Sequence, residues 1–418
     1  MSEVKVALLG FGTIGYGVYT NITNEQNTIQ NVVKQTVKIT GALIRDPHKE
    51  RSIAKDILLT TDFHELLAKE KPDVVIEAMG GIEPTLTYIK DALNAGCHVI
   101  SANKDLIARH GKDIEEIAKA NNVFFAYEAS VGGGIPLIRT IKELLQFNHI
   151  EQIEAILNGT SNFILSYMRS EKASFEDALE IAKAKGYAEP DPTNDVEGYD
   201  PFYKAMVLSN LMYGAQPHWE DVFVEGISKV KTDELLLAET LGFRLKQFVS
   251  INDALQVSVG LHFVDNTHPL YGVEGVDNAI RFKAKTLGFL TLQGPGAGAN
   301  ATSSAIIEDL VSFYTKEKVV PEVPKQTRVP ENAERPTSTY TLLFTREDCC
   351  EKLVDILQEN GAILQRASSP YGSALLYKTH GTPTYQLLAQ YAEDVALYSA
   401  HVTNEQLYTR TKEVISTI

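Results

Sequence analysis

The chain has 418 residues, 44% of them hydrophobic and 22% charged, enough for roughly three domains with sizeable cores. Its 39 Lys and Arg against 54 Asp and Glu leave a formal charge of −15, whose field repels polyanions and argues against binding to nucleic acid or an anionic membrane. Three cysteines, Cys97, Cys349 and Cys350, are too few and too badly spaced for a disulfide framework or a zinc site, and a reduced compartment is expected.

Met1-Ser2-Glu3-Val4-Lys5 lacks the basic-then-apolar order of a signal peptide, and the long uncharged stretch 286–307 is too polar to span a bilayer. The expected location is the cytoplasm. In the first 130 residues, apolar runs predict buried strands at Val4–Leu9, Val37–Ile44, Val74–Ile76, Val99–Ser101 and Val123–Tyr127. Amphipathic stretches at Asp62–Glu70, Pro84–Ala95 and Gly111–Asn121 alternate with them, which predicts a doubly wound parallel sheet.

After Pro136 the pattern becomes α+β with an open sheet. Strands are predicted at Ile153–Leu157, Gln247–Ile251, Leu255–Phe263 and Leu287–Leu292, and helices from Thr160, from the Ser174–Asp177 capping box and over 200–213. Pro321, Pro324, Pro330 and Pro336 mark an extended linker over 321–337. Residues 338–418 then read as a βαββαβ unit of ferredoxin-like type. The expected domains are 1–130 (rejoined by about 295–320), 131–294 and 338–418.

Several segments carry chemistry. Gly10-Phe11-Gly12-Thr13-Ile14-Gly15 fits G-x-G-x-x-G between a strand and a helix, where backbone amides and the helix dipole cradle a pyrophosphate. Arg45 at the end of the second strand, with Lys49 and Arg51 following, favours the 2′-phosphate of NADP, and Asp46 leaves room for NAD. Gly80-Gly81 and Ser101-Ala102-Asn103-Lys104 end later strands at the edge where ligands bind in such sheets. The loop Glu128–Pro136 exposes carbonyls that suit either a hard cation or a hinge. In the polar run Gly186–Lys204, Asp200 and Lys204 stand at i and i+4 and share a helix face.

Taken in order with Glu77–Gly81, Asn158-Gly159-Thr160-Ser161-Asn162 and Gly294-Pro295-Gly296-Ala297-Gly298, these segments resemble homoserine dehydrogenases over about the first 310 residues. The resemblance implies a Rossmann nucleotide domain, a central catalytic and dimerisation domain, and reversible NAD(P)-linked conversion of aspartate 4-semialdehyde to homoserine. It implies Lys204 as the better acid/base candidate with Lys104 assisting. Glu189, Asp195 and Asp200 would hold the substrate ammonium, and Asn158, Gly159 and Thr160 would line the nicotinamide and substrate. Gly10–Gly15, Arg45, Gly80, Gly81, Ser101, Lys104 and Gly296 would bind the cofactor. Glu128, with the carbonyls of Val131, Gly133 and Ile135, would hold a sodium or potassium ion. Two lysines near one another are expected to lower each other's pKa.

The C-terminal unit looks like an ACT domain, a module that accompanies amino-acid feedback control, and the resemblance implies a homodimer, extended to a tetramer if these units pair. Two features depart from the family. Pro201-Phe202-Tyr203-Lys204 stands where many relatives have Ala-Ala-x-Lys, and Arg346–Cys350 lacks the D-x-P-G-like turn, which argues against threonine inhibition and leaves assembly or another effector. The alternatives to this reading are another oxidoreductase acting on an amino-acid semialdehyde, and a silent dinucleotide sensor.

Overall fold

The structure, a computed structural model, describes residues 2–144, 146–315, 340–370, 372–379, 384–388, 391 and 395–401. The first sheet contains strands β1 (Glu3–Leu9), β2 (Thr36–Leu43), β3 (Leu58–Thr60), β4 (Val74–Glu77), β5 (His98–Ser101) and β6 (Phe125–Ala126). They run parallel in the order β3-β2-β1-β4-β5-β6. Five strands were expected; the sixth, β3, is a three-residue edge strand whose length leaves almost no periodic signal. The strand order reverses between β1 and β4, and a doubly wound sheet opens its ligand crevice at that point, beyond the strand ends. Gly10 follows β1 and Gly80 follows β4, so both glycine turns flank this crevice.

Helix Ala299–Thr315 returns to this sheet: Ala305, Ile306 and Leu310 share a core with Val4, Val6, Val18 and Ile100. Lys104, expected at a strand end, is the first residue of helix Lys104–Ala120. Its cap is Asn103, whose side chain accepts from the amide of Leu106 at 3.2 Å.

The second sheet begins with β7 (Ile150–Ile156), β8 (Phe223–Val224), β9 (Phe243–Asn252), β10 (Val257–Asp265), β11 (Asp277–Ala284) and β12 (Gly288–Pro295). It continues through β13 (Tyr340–Thr345), β14 (Gly361–Ser369), β15 (Gly372–Thr379) and β16 (Val395–His401). Its order is β12-β11-β7-β9-β10-β16-β13-β15-β14, with β8 beside β10. The linker predicted over 321–337 lies outside the described residues. On either side of it the sheet is continuous, because β16 pairs parallel with β10 through His262↔Ser399. Leu342, Phe344, Leu376 and Ala400 pack in one core with Phe243, Leu245 and Phe263, and the Tyr398 hydroxyl donates to Glu234 at 2.8 Å. The C-terminal elements run strand, helix Glu347–Asn360, two strands, helix Thr384–Leu387, strand.

Helices Gly159–Glu171 and Tyr199–Tyr213 carry the polar motifs. The second begins after Gly198, which takes φ +83°, a left-handed turn that favours glycine. Pro201 falls in its first turn, where a missing amide proton breaks no intrahelical bond. Phe202, Ala205, Met206 and Leu208 of this helix share a core with Leu106 and Ala108 of helix Lys104–Ala120, which brings the two lysine-bearing helices together. Among the described residues, no helix is long and apolar enough to cross a membrane.

Candidate active site

At the first glycine turn, sterics explain two of the three glycines. A Cβ on Gly15 would lie 2.2 Å from the Gly10 carbonyl oxygen, and one on Gly10 would lie 2.8 Å from that of Ala78. Around Gly12 nothing lies within 4 Å of such a carbon, so the second glycine keeps space open in front of helix Thr13–Asn24. No side chain caps that helix and its first turn has no acidic residue, so its amides face the crevice without a competing acceptor. This arrangement fits a dinucleotide pyrophosphate. Phe11 packs against Tyr16 and Tyr19, and Thr13 and Ile14 begin the helix. Arg45 lies exposed two residues beyond β2.

Glu77, which the sequence reading did not assign to the site, organises the second glycine turn. Fully buried, it accepts from the amides of Met79 at 2.8 Å and Gly80 at 3.1 Å and from the Ser101 hydroxyl at 2.5 Å. Ser101 is buried behind the turn, with its hydroxyl donating to Glu77. Asn103 donates to the Gly81 carbonyl at 2.6 Å and ties the turn to the start of the Lys104 helix. An acidic residue closing an apolar parallel strand was the signal available in the sequence. Burial raises the Glu77 pKa, while hydrogen bonds from Ser101, Met79 and Gly80 oppose the rise.

The centre of the site is Asp200, 3% exposed. Lys104 Nζ lies 2.6 Å from Oδ1 and Lys204 Nζ 2.8 Å from Oδ2. Lys204, 8% exposed, also donates to the carbonyl of Leu157 at 2.6 Å. The Asn158 side-chain amide donates to Asp200 Oδ2 at 2.8 Å and to Asp195 Oδ1 at 2.7 Å, and Asn158 Oδ1 accepts from the amide of Ser161 as the helix cap. Thr160 fastens the following loop by donating to the carbonyl of Tyr187 at 2.6 Å. A Cβ on Gly159 would meet the carbonyl oxygen of Val276 at 2.7 Å, so this position admits only glycine.

Asp200 stays ionised well below the usual carboxylate range: burial opposes its charge, but Lys204 and Lys104 together outweigh that penalty. The expectation that the two lysines depress one another is overturned for Lys104, whose pKa is raised, Asp200 being the largest cause. A carboxylate between two cations replaces mutual repulsion with attraction. Asp195 is raised by burial and by Asp200. Glu189 is exposed, and among the described residues no hydrogen bond or ion pair joins it to this cluster.

In the third loop, both oxygens of buried Glu128 accept backbone amides, from Ile138 and Arg139 at 2.7 Å each. The Glu128 amide in turn donates to Asp309 at 2.9 Å, and burial together with the Glu128 charge pushes Asp309 up to about 7. The buried Glu128 carboxyl lies on the loop that carries the Val131, Gly133 and Ile135 carbonyls, the oxygen donors a hard cation takes. The carbonyl of Ile135 already accepts from the amide of Leu137 at 2.7 Å. Gly296 packs close against Gly133 and Asn278 where the two regions meet.

A parallel sheet with glycine turns at its switch point, and two lysines converging on a buried carboxylate beside it, are the arrangement of a dinucleotide-dependent oxidoreductase. The family model for homoserine dehydrogenase matches residues 136–311, and the one described as its NAD binding domain matches residues 10–128. The homoserine dehydrogenase of Bacillus subtilis is 38% identical over 317 residues, 75% of this chain and 73% of that one. A homoserine dehydrogenase structure from Thiobacillus denitrificans superposes with TM-score 0.82 at 29% identity, covering 96% of this chain and 99% of the other. A hyperthermophilic archaeal homoserine dehydrogenase in complex with NADPH superposes with TM-score 0.66 at 26% identity, over 77% and 99%. The chain belongs to the homoserine dehydrogenase family.

Proposed function

We propose that Lys204 is the proton donor and acceptor for the reacting oxygen of aspartate 4-semialdehyde and homoserine, with Lys104 as a second cation at the same point. The observation that carries this reading is the approach of both amines to Asp200, at 2.6 and 2.8 Å. Lys204 is anchored at Asp200 and at the Leu157 carbonyl, which leaves its third N–H for a substrate oxygen. A buried, pre-oriented ammonium stabilises developing alkoxide charge far better than one in water. Asp195 and Asp200, held in place by the Asn158 amide, bind the polar end of the substrate, and Glu189, on the loop that Thr160 fastens, adds a carboxylate for its ammonium. NADP(H), when bound, supplies or accepts the hydride.

Arg45, with Lys49 and Arg51 close by in sequence, favours the 2′-phosphate of NADP over NAD, in keeping with the NADPH of the archaeal relative. Glu128 and the carbonyls of Val131, Gly133 and Ile135 hold a sodium or potassium ion, supported by the burial of the Glu128 carboxyl on the same loop as those carbonyls. The exposed edge strand β12, with Phe289 on it and Leu287 just before it, supports a homodimer along this sheet. The strand order β16-β13-β15-β14 supports a ferredoxin-like, ACT-type unit.

Steady-state kinetics on homoserine with NADP and NAD, for the wild type and for Lys204→Ala, test the reading. Full turnover by that variant removes it.

A further inference from the structure

Asp200 and Lys204 share a helix, but Lys104 arrives from another one, helix Lys104–Ala120. The distance between the two amines therefore depends on what holds the helices together near these residues. Apolar packing supplies attraction but little register, because it is non-directional. One polar group supplies direction. The side-chain nitrogen of Gln216 donates to the carbonyl of Ala108 at 2.7 Å and to that of Met206 at 3.1 Å, so one amide bridges both helices. Ala108 is one turn beyond Lys104, and Met206 is two residues beyond Lys204.

The amide is itself oriented. Its oxygen accepts from Trp219 Nε1 at 2.9 Å, which leaves both amide hydrogens for the two helices. The indole packs edge-on to Phe202 at 5.2 Å and lies 6.0 Å from Tyr203, the two aromatic residues that precede Lys204. Arg109, on the Lys104 helix, places its guanidinium 4.5 Å from the indole centroid. Phe202 and Tyr203 thus seat the indole that orients this bridge.

We propose that Gln216, oriented by Trp219, is a positioning residue that sets the placement of Lys104 against Asp200 and Lys204. It touches neither substrate nor cofactor; it acts through the two helices. The proposal rests on the assignment of the two lysines as the acting pair.

The test is Gln216→Leu, which keeps side-chain bulk and removes both donors and the acceptor, with Trp219→Phe as a second variant that keeps an aromatic ring and removes only the orienting donor. Trp219 is the single tryptophan of the chain, so in Gln216→Leu its emission registers the lost bond. Expected is a fall in kcat of about 10- to 100-fold for Gln216→Leu and a smaller one for Trp219→Phe, with the KM for NADP within about twofold. The alkaline limb of semialdehyde reduction should move to lower pH, because Lys104 leaves Asp200, the first of the acids that raise its pKa; Asp105 and Asp195 are the others facing it, and both stay. A purely structural role predicts a lower Tm with an unmoved pH profile, and that outcome overturns the proposal, as does wild-type kcat. If Gln216→Leu does not fold, Trp219→Phe is judged by the same two criteria. Lys204→Ala and Lys104→Ala run in parallel: full turnover in both overturns the assignment of the pair, whereas loss in both with an unaffected Gln216→Leu overturns the positioning role alone.

Discussion

Lys104 reaches Asp200 at 2.6 Å from a helix that belongs to the nucleotide-binding sheet, while Asp200 opens a helix that packs on the other sheet. This ion pair crosses the boundary between the regions of the two sheets, and Asn103, one residue before Lys104, ties it to the Gly81 turn. It joins the region that matches the NAD binding model to the region that matches the homoserine dehydrogenase model. Assembly of the two regions is thus a condition for the site to exist.

Lys204→Ala is expected to lower kcat by ~10²-fold or more while leaving NADP affinity nearly intact, since the lost group serves proton transfer and charge stabilisation. Steady-state rates paired with a fluorescence titration of NADPH check both halves. A parallel loss of cofactor affinity would point instead to collapse of the crevice.

Asp200→Asn keeps the shape and removes the charge between the lysines. Asp200 is the largest cause of the raised Lys104 pKa, so in the variant that pKa falls. The Lys104 ammonium, the second cation at the reacting oxygen, is present below the Lys104 pKa and lost above it, and semialdehyde reduction slows when it is lost. The alkaline limb of kcat therefore moves to lower pH. The wild-type carboxyl, held well below the usual range, keeps its pairs through ordinary acid conditions. An alkaline limb that does not move refutes the assignment.

The glycine turn separates packing from binding. Gly15→Ala places a carbon 2.2 Å from the Gly10 carbonyl oxygen and should lower Tm by about 2–10 °C. Gly12→Ala meets nothing within 4 Å and should leave Tm near the wild type while weakening NADP binding by about tenfold or more. Calorimetry and a cofactor titration on the two variants read these opposite profiles.

Arg45→Ala is expected to raise the KM for NADPH by about 10-fold, the worth of one charge-assisted hydrogen bond to a phosphate, with little change for NADH. Equal losses for both cofactors would place Arg45 away from the 2′-phosphate.

Much of the fold was legible because it is written in local chemistry. A strand followed by a turn that only glycine can make, at Gly10–Gly15, needs no distant partner to be recognised. The i to i+4 spacing of Asp200 and Lys204 places both on one helix face wherever that helix lies. The start of helix Lys104–Ala120 was missed because Lys104 and Asp105 follow a strand end almost directly, and the Asn103 cap is a single residue. Glu77 and Gln216 were missed for another reason: a buried glutamate holding a turn, or a glutamine bridging two helices, looks in sequence like any polar residue.

By itself the sequence determined the class of the protein, its glycine turns, and the carboxylate–lysine spacing in one helix, since backbone sterics and helical periodicity act over a few residues. Tertiary structure alone decided that Asp200 stands between the two amines and so holds Lys104 charged rather than depressed. It also decided that β16 extends the central sheet by pairing with β10, so that the C-terminal elements share a core with the catalytic region. Both outcomes depend on contacts between segments far apart in the chain, and the energies of such contacts leave no periodic trace in the residues that make them.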